Sequence, residues 1–312
     1  MMTSHMEQTG LLDRLQVFFG DASSGLARIY ARLGHGGELA GCTLAGRVAG
    51  PSCLYSHTLE TSVPLTEKPP PVGLSGSGRT PDLLAEALLP DPCFWTADMP
   101  FLYQVHVELR RGKELLGSVQ RSLGIRPLGT RGRRLLLDSS IWVPHAVDRD
   151  EVPGRDWPAW RGSGADMYVH QPDEQLCDQA SRVGVALLAH LEGPADWLPE
   201  QVGKLARWPA VALAVLETDG DLHPSIRMEA RNLLLGWPGP PAAAVEPPGW
   251  ADVVVCRGSD AVALARRARD CRLPVIAHRP AGWRDDLVEA RRQCGQLEGE
   301  LAELGDFAGY VV

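Results

Sequence analysis

Along the first part of the chain, apolar and polar residues alternate in short stretches punctuated by Gly and Pro. LARIYARLGH, GCTLAGRVA, SHTLETSVPLT, FLYQVHVEL and LGSVQRSLGIR all carry this pattern. A period of two puts every other side chain on one face, so these segments are predicted to be half-buried strands. Several such strands within roughly 120 residues predict an antiparallel, immunoglobulin-like β-sandwich. The stretch from Lys68 to Pro81, KPPPVGLSGSGRTP, is too rich in Pro and Gly for strand or helix and reads as an exposed loop.

Near residue 130 the pattern changes. RRLLLDSS, GADMYVH, GVALLAHLE, AVALAVLE, NLLLGWP, ADVVVCRG, LPVIAHRP and FAGYVV are short apolar runs without alternation. Such runs suit strands covered on both faces, as in a parallel sheet under helices. Helices are predicted between them at EQLCDQASRV, LPEQVGKLARW, SIRMEARN, DAVALARRARD and WRDDLVEARRQCGQLEGELAEL. Eight strands interleaved with helices predict a small (β/α)8 TIM-like barrel lacking its last helix. A doubly wound sheet is the alternative, but neither GxGxxG nor GxxxxGK[ST] opens the first strand-to-helix turn. The predicted division is a sandwich at 8–128 and a barrel at 131–312.

Charge narrows the function. Lys and Arg number 31 against 39 Asp and Glu, a net charge of -8, which argues against a nucleic-acid or anionic-membrane surface. The seven cysteines form no CxxC pair and no Cys/His cluster at zinc spacing. They read as reduced thiols, and with no apolar run of membrane-spanning length the expected location is the cytoplasm. No cofactor is predicted, and an oligomer is compatible with the sequence.

Between Asp91 and Gly184 the chain resembles glycoside hydrolase family 2, which comprises β-galactosidases, β-glucuronidases and β-mannosidases. DPCFWTADMPFLYQVHVEL is similar to that family's Trp-containing turn and following strand, and LGIRPL at Leu123 to Leu128 to its closing Gly-aliphatic-Arg strand. RRLLLDSSIWV sits where the family has its first barrel strand. YVHQPDEQLCDQASRVGVALLAHLE keeps the order of His170, Pro172 and Gly184 seen in the family's second-to-third-strand segment. The resemblance implies a sandwich before a barrel and retaining hydrolysis, in which two carboxylates about 5 to 5.5 Å apart serve as acid/base and nucleophile.

The same resemblance singles out residues. The family's acid/base Glu lies ten residues past a Pro, which here leads from Pro209 to Asp219, with Glu217 a competing candidate nearby. The nucleophile, five residues past Pro274, falls on Arg279, and a guanidinium cannot attack an anomeric carbon. Met167, Pro144 or His145, and Gln171 also replace residues of the family's pattern. The expectation is a diverged relative whose hydrolysis is lost or weak, with a carbohydrate-binding or regulatory role. An active glycosidase using a relocated carboxylate such as Glu192 or Asp148 is the alternative.

Four histidines, His145, His170, His190 and His278, are predicted at or past carboxyl ends of strands, where such barrels hold their sites. They are candidate substrate-binding residues. A metal-dependent hydrolase is a distant third reading, since no HxH pair on strand one and no strand-eight Asp accompany them. Asp148, Asp150 and Glu151 read as a solvated acidic loop. Trp142, Trp237 and Trp283 are candidates to stack on a sugar ring. Arg279 is expected either to anchor an anionic ligand or to pair with Asp219 or Glu217 across the barrel.

Overall fold

The computed structural model describes residues 12–34, 39–68, 82–149, 156–240, 245–280 and 286–312. Most of the loop expected at Lys68 to Pro81 therefore lies outside the described residues, as do Asp150, Glu151 and Trp283. The chain divides into two compact units: Met1–Trp95 with Phe101–Ile125, and Thr96–Pro100 with Arg126–Val312.

The first unit is one antiparallel sheet of seven strands: β1 (Gln16–Ala22), β2 (Leu26–Leu33), β3 (Cys42–Ser52), β4 (Thr61–Glu67), β5 (Leu83–Pro90), β6 (Leu102–Arg111) and β7 (Glu114–Leu123). Their order is β1-β2-β5-β4-β3-β6-β7. The sheet curls until β1 and β7, its two edges, touch. Alternation does this work: in LARIYARL every second side chain, from Ala27 through Leu33, is buried. These meet Leu44, Val48, Val105, Val107 and Leu109 in one core. β1 and β5 escape the sequence reading.

The second unit opens with a small antiparallel sheet, β8 (Leu128–Arg131), β9 (Arg134–Leu137) and β10 (Ser140–Trp142). RRLLLDSS is thus not a barrel strand. Asp138 and Ser139 both take positive φ, 47° and 63°, which turns β9 tightly into β10 as a hairpin. Leu135 of β9 is buried among inward side chains of the barrel.

Eight parallel strands then close a barrel: β11 (His145–Arg149), β12 (Asp166–His170), β13 (Leu187–Glu192), β14 (Val211–Glu217), β15 (Leu234–Pro238), β16 (Val253–Arg257), β17 (Val275–His278) and β18 (Gly309–Val311). Seven match predicted strands; the first is HAVDR. The helices are α1 (Trp157–Ser163), α2 (Glu174–Val183), α3 (Leu198–Leu205), α4 (Ala261–Asp270) and α5 (Leu287–Ala302). SIRMEARN forms no α-helix but a 3-10 turn at Pro224–Met228. Four helices begin on an Asp, at 156, 173, 260 and 286, whose carboxylate accepts backbone N–H groups of the first turn. α5 packs on β11 and β18, and Cys294 within it donates to Ala146 O.

Arg126 is 2% exposed and marks the amino-terminal end of the barrel, where it donates to Pro209 O at 2.6 Å and Ala210 O at 2.9 Å. Its guanidinium also lies 5.4 Å from the Trp142 ring. Trp142 therefore sits at the end opposite the expected sugar platform. Burial pushes the Asp166 carboxyl up to about 7, opposed by the charge of Arg126.

Candidate functional site

The pleat of the barrel strands decides which side chains reach the mouth. Ala146, Tyr168, Leu188, Val215, Val255 and Ile276 share the inner core. The residue two places on in each strand has the same inward sense and stands at the carboxyl end. These residues are Asp148, His170, His190, Glu217, Arg257 and His278.

They are linked. Asp148 Oδ2 accepts from His278 Nε2 at 2.8 Å, and its Oδ1 lies 3.4 Å from His170 Nε2. The His170 and His190 rings are 4.6 Å apart, and His190 Nε2 meets Glu217 Oε2 at 2.8 Å. Beneath them the Tyr168 ring touches those of His170, His190 and His278 at 5.6, 5.9 and 4.9 Å.

The electrostatics follow from burial and neighbours. Burial favours the neutral acid of Asp148, but the His278 hydrogen bond and the charges of His278, His170 and Arg257 outweigh it and hold the carboxyl below its ordinary value. Burial, then the nearby His170, pushes His190 below the usual imidazole range despite the opposing pull of Glu217. Burial also pushes the Tyr168 hydroxyl far up, so it stays protonated. Among the described residues no group of His, Cys, Asp and Glu has an arrangement that holds a metal ion.

Glu217 also opens onto a cavity of about 480 Å³ beside the mouth, at the carboxyl ends of β14 and β15. Thr218, Asp219, Asp221, Trp237, Glu246 and Trp250 line it as well. Trp237 joins the layer between strands and helices, and its ring lies 5.6 Å from the Arg267 guanidinium. It presents part of its surface to this cavity rather than to the barrel axis.

Several expected placements need correction. His145 begins its strand instead of following it. Its ring stacks on Tyr310 at 5.7 Å and its Nε2 lies 2.9 Å from Glu298 Oε2, so it faces the helical layer and stands away from the mouth. The expected pairing of Arg279 with Asp219 or Glu217 is overturned: Arg279 Nη1 donates to Glu300 Oε2 of α5 at 2.6 Å. The pleat explains this, because Arg279 follows the outward Ala277 by two residues while His278 points in. Asp148 lies in strand β11, with a side chain 14% exposed, and is no solvated loop residue.

Sequence reasoning thus reached His170, His190, Glu217 and His278 but not the partners Tyr168 and Arg257. The available signal was spacing: each lies two residues from another inward position of its own strand.

Residues 58–126 match the family described as glycosyl hydrolases family 2. No curated protein sequence matches the chain. Among solved structures it is similar to Bacteroides uniformis β-glucuronidase 2, at 16% identity and TM-score 0.62, with 96% of this chain and 45% of that one covered. Bifidobacterium dentium β-glucuronidase aligns at 14% identity and TM-score 0.62, covering 95% and 59%. The Dictyoglomus thermophilum β-D-glucuronidase does so at 12% and 0.59, covering 96% and 61%. The chain therefore spans roughly half of the length of these relatives, and at such identities the likeness is one of fold. Residues 58–126 thus match glycosyl hydrolase family 2, and the chain shares with these enzymes the fold of an antiparallel sheet followed by a closed barrel.

Proposed function

We propose that the chain binds a carbohydrate at the carboxyl-terminal mouth of its barrel and has lost retaining glycoside hydrolysis. The observation that carries this reading is the inward residue ending β17, which is His278, hydrogen-bonded to Asp148. A retaining mechanism needs a carboxylate there or nearby, about 5 to 5.5 Å from the acid/base. Glu217 is the candidate acid/base by position, and no carboxylate of β17 faces it. Asp148 is a poor nucleophile because one oxygen accepts from His278 and the other lies beside His170.

The carbohydrate reading draws support from the setting. The mouth offers imidazole and carboxylate hydrogen-bonding groups, and two indoles line the adjoining cavity. The Bifidobacterium dentium relative holds coumarin-3-O-glucuronide. We place the protein in the cytoplasm, on the ground that its seven cysteines are free thiols.

The test is turnover of aryl β-galactosides, β-glucuronides and β-mannosides. The expected rate is at background, with no burst and no labelling by 2-fluoro-glycosides. A covalent glycosyl-enzyme would overturn the reading. A second reading rests on Asp148 being held ionised at the mouth: an inverting hydrolase with Glu217 as acid and Asp148 as base. Product of inverted anomeric configuration, abolished by Asp148→Asn, would establish it in place of the first.

A further inference from the structure

A second cavity, of about 300 Å³, lies in the barrel unit against the start of α2 and along α3. This is the small end of the range for ligand pockets, about 300 to 1,000 Å³. Gln171 and Leu191 line it and directly follow the mouth residues His170 and His190 in the chain, so the cavity borders the same two strand ends. Trp197, Gln201, Leu205 and Trp208 form its other side. Leu191 and Leu205 are buried and make an apolar floor, whereas both indoles and Gln201 are half-buried. Among the described residues neither indole meets a cation or another aromatic ring, so each keeps open surface.

The second observation concerns hydrogen bonds. Most charged groups of the lining are engaged within the protein: Asp173 caps α2, its Oδ1 accepting from Leu176 N at 2.6 Å, and Lys204 Nζ lies 2.8 Å from Glu200 Oε1. Glu174 stands exposed in the first turn of α2, where it favours the helix dipole. The neutral groups are not engaged. The Gln201 amide and the indole N–H groups of Trp197 and Trp208 have no hydrogen-bond partner among the described residues. Gln171 Nε2 donates to Glu192 O at 3.3 Å, which leaves its Oε1 to accept from a ligand. Such groups usually find a partner as they become buried. Uncharged donors and acceptors thus converge on two indole faces and an apolar floor.

That combination selects among ligands. A pyranose has an apolar C–H face to lie on an indole and hydroxyls at its rim that both donate and accept. A purely apolar ligand would leave the indole and amide groups unsatisfied, and an anionic one would meet Glu174 with no free cation to offset it. We propose that this cavity is a second carbohydrate site, separate from the mouth, which takes a neutral pyranose against Trp197 and Trp208 with its hydroxyls on Gln171 and Gln201. The ligand class rests on the carbohydrate reading above; the site stands on its own lining.

Calorimetric titration of the full chain with methyl β-glucoside, methyl β-galactoside and methyl β-mannoside tests this. The titrations are repeated with Gln201→Ala and Trp208→Phe at the cavity and Glu217→Gln at the mouth, folding being checked by circular dichroism. At least one glycoside is expected to bind at two sites per chain. Each cavity variant should weaken one of them about fivefold, the loss of one neutral hydrogen bond, while Glu217→Gln weakens the other. Trp208→Phe keeps an aromatic face and removes the N–H, which preserves the packing of the ring. Affinity at the cavity should hold as salt rises, because its free groups are uncharged; a marked loss would overturn the neutral ligand. A single site that Glu217→Gln weakens and both cavity variants leave intact would overturn the second site and leave the mouth reading standing. A single site that the cavity variants weaken and Glu217→Gln leaves intact would support the second site and overturn the mouth reading. Binding of none of the three overturns both.

Discussion

Replacing Arg126 by Met removes a buried cation while keeping much of its volume, and the structure sets the size of the effect. Two hydrogen bonds are lost, to Pro209 O at 2.6 Å and Ala210 O at 2.9 Å, each involving a charged donor and worth about 1.5 to 3 kcal/mol. Asp166 also loses the nearby positive charge that opposes the effect of its burial. These effects overlap, so a loss of about 4 kcal/mol is expected for the barrel at neutral pH.

The cost should also depend on pH. The folded carboxyl of Asp166 is pushed up to about 7, above its unfolded value. Stability from that group is therefore full below about pH 4 and is lost as pH rises toward 7. Without Arg126 the folded value rises further, so the variant keeps losing stability above pH 7 after the parent has levelled off. The gap between the two should be larger at pH 8 than at pH 5, by up to about 1.4 kcal/mol per pH unit. Urea unfolding followed by tryptophan fluorescence reads the barrel, because eight of the nine tryptophans follow residue 130. A loss below about 1 kcal/mol, or an equal gap at both pH values when Asp166→Asn is also flat, would refute the reasoning.

Three further outcomes are expected. Asp148→Asn should destabilise the barrel at pH 6 and cost progressively less in acid, because a depressed carboxyl contributes stability that disappears as pH falls through its folded value; urea midpoints at several pH values check this. Arg279→Ala should cost no more than about 1 kcal/mol, since Glu300 has a side chain 55% exposed, and should leave glycoside titrations unchanged; lost binding would show that Arg279 reaches the mouth. Gly184→Ala should lower the melting temperature markedly, because Gly184 has φ +81° and a Cβ would strike Ala97 O and Arg161. The left-handed conformation alone costs about 1 to 2 kcal/mol for a residue with a side chain.

Much of the architecture could be read along the chain, and its failures have identifiable causes. AVALAVLE and ADVVVCRG are apolar on both faces because both faces are covered, and no helix of that length competes with the strand reading. RRLLLDSS looked the same over three leucines. Its fate as half of a hairpin lay in the left-handed Asp138 and Ser139, which residue type alone does not announce. HAVDR holds too few apolar residues to stand out, and it is a strand because β12 and β18 flank it and α5 covers it.

The candidate site divides the same way. Sequence by itself determined that histidines and carboxylates would cluster at the ends of apolar strands, and the resemblance led to the expectation that Arg279 stands at the nucleophile position. Only the tertiary structure decided which of them meet. Strand register turns His278 inward and Arg279 outward, brings Asp148 from β11 to His278 of β17, and sets His190 beside Glu217. The reason is geometric: a pleat inverts every side chain with a shift of one residue, and closing the barrel joins strands 130 residues apart in the chain. Neither is local, so no window of the sequence contains it.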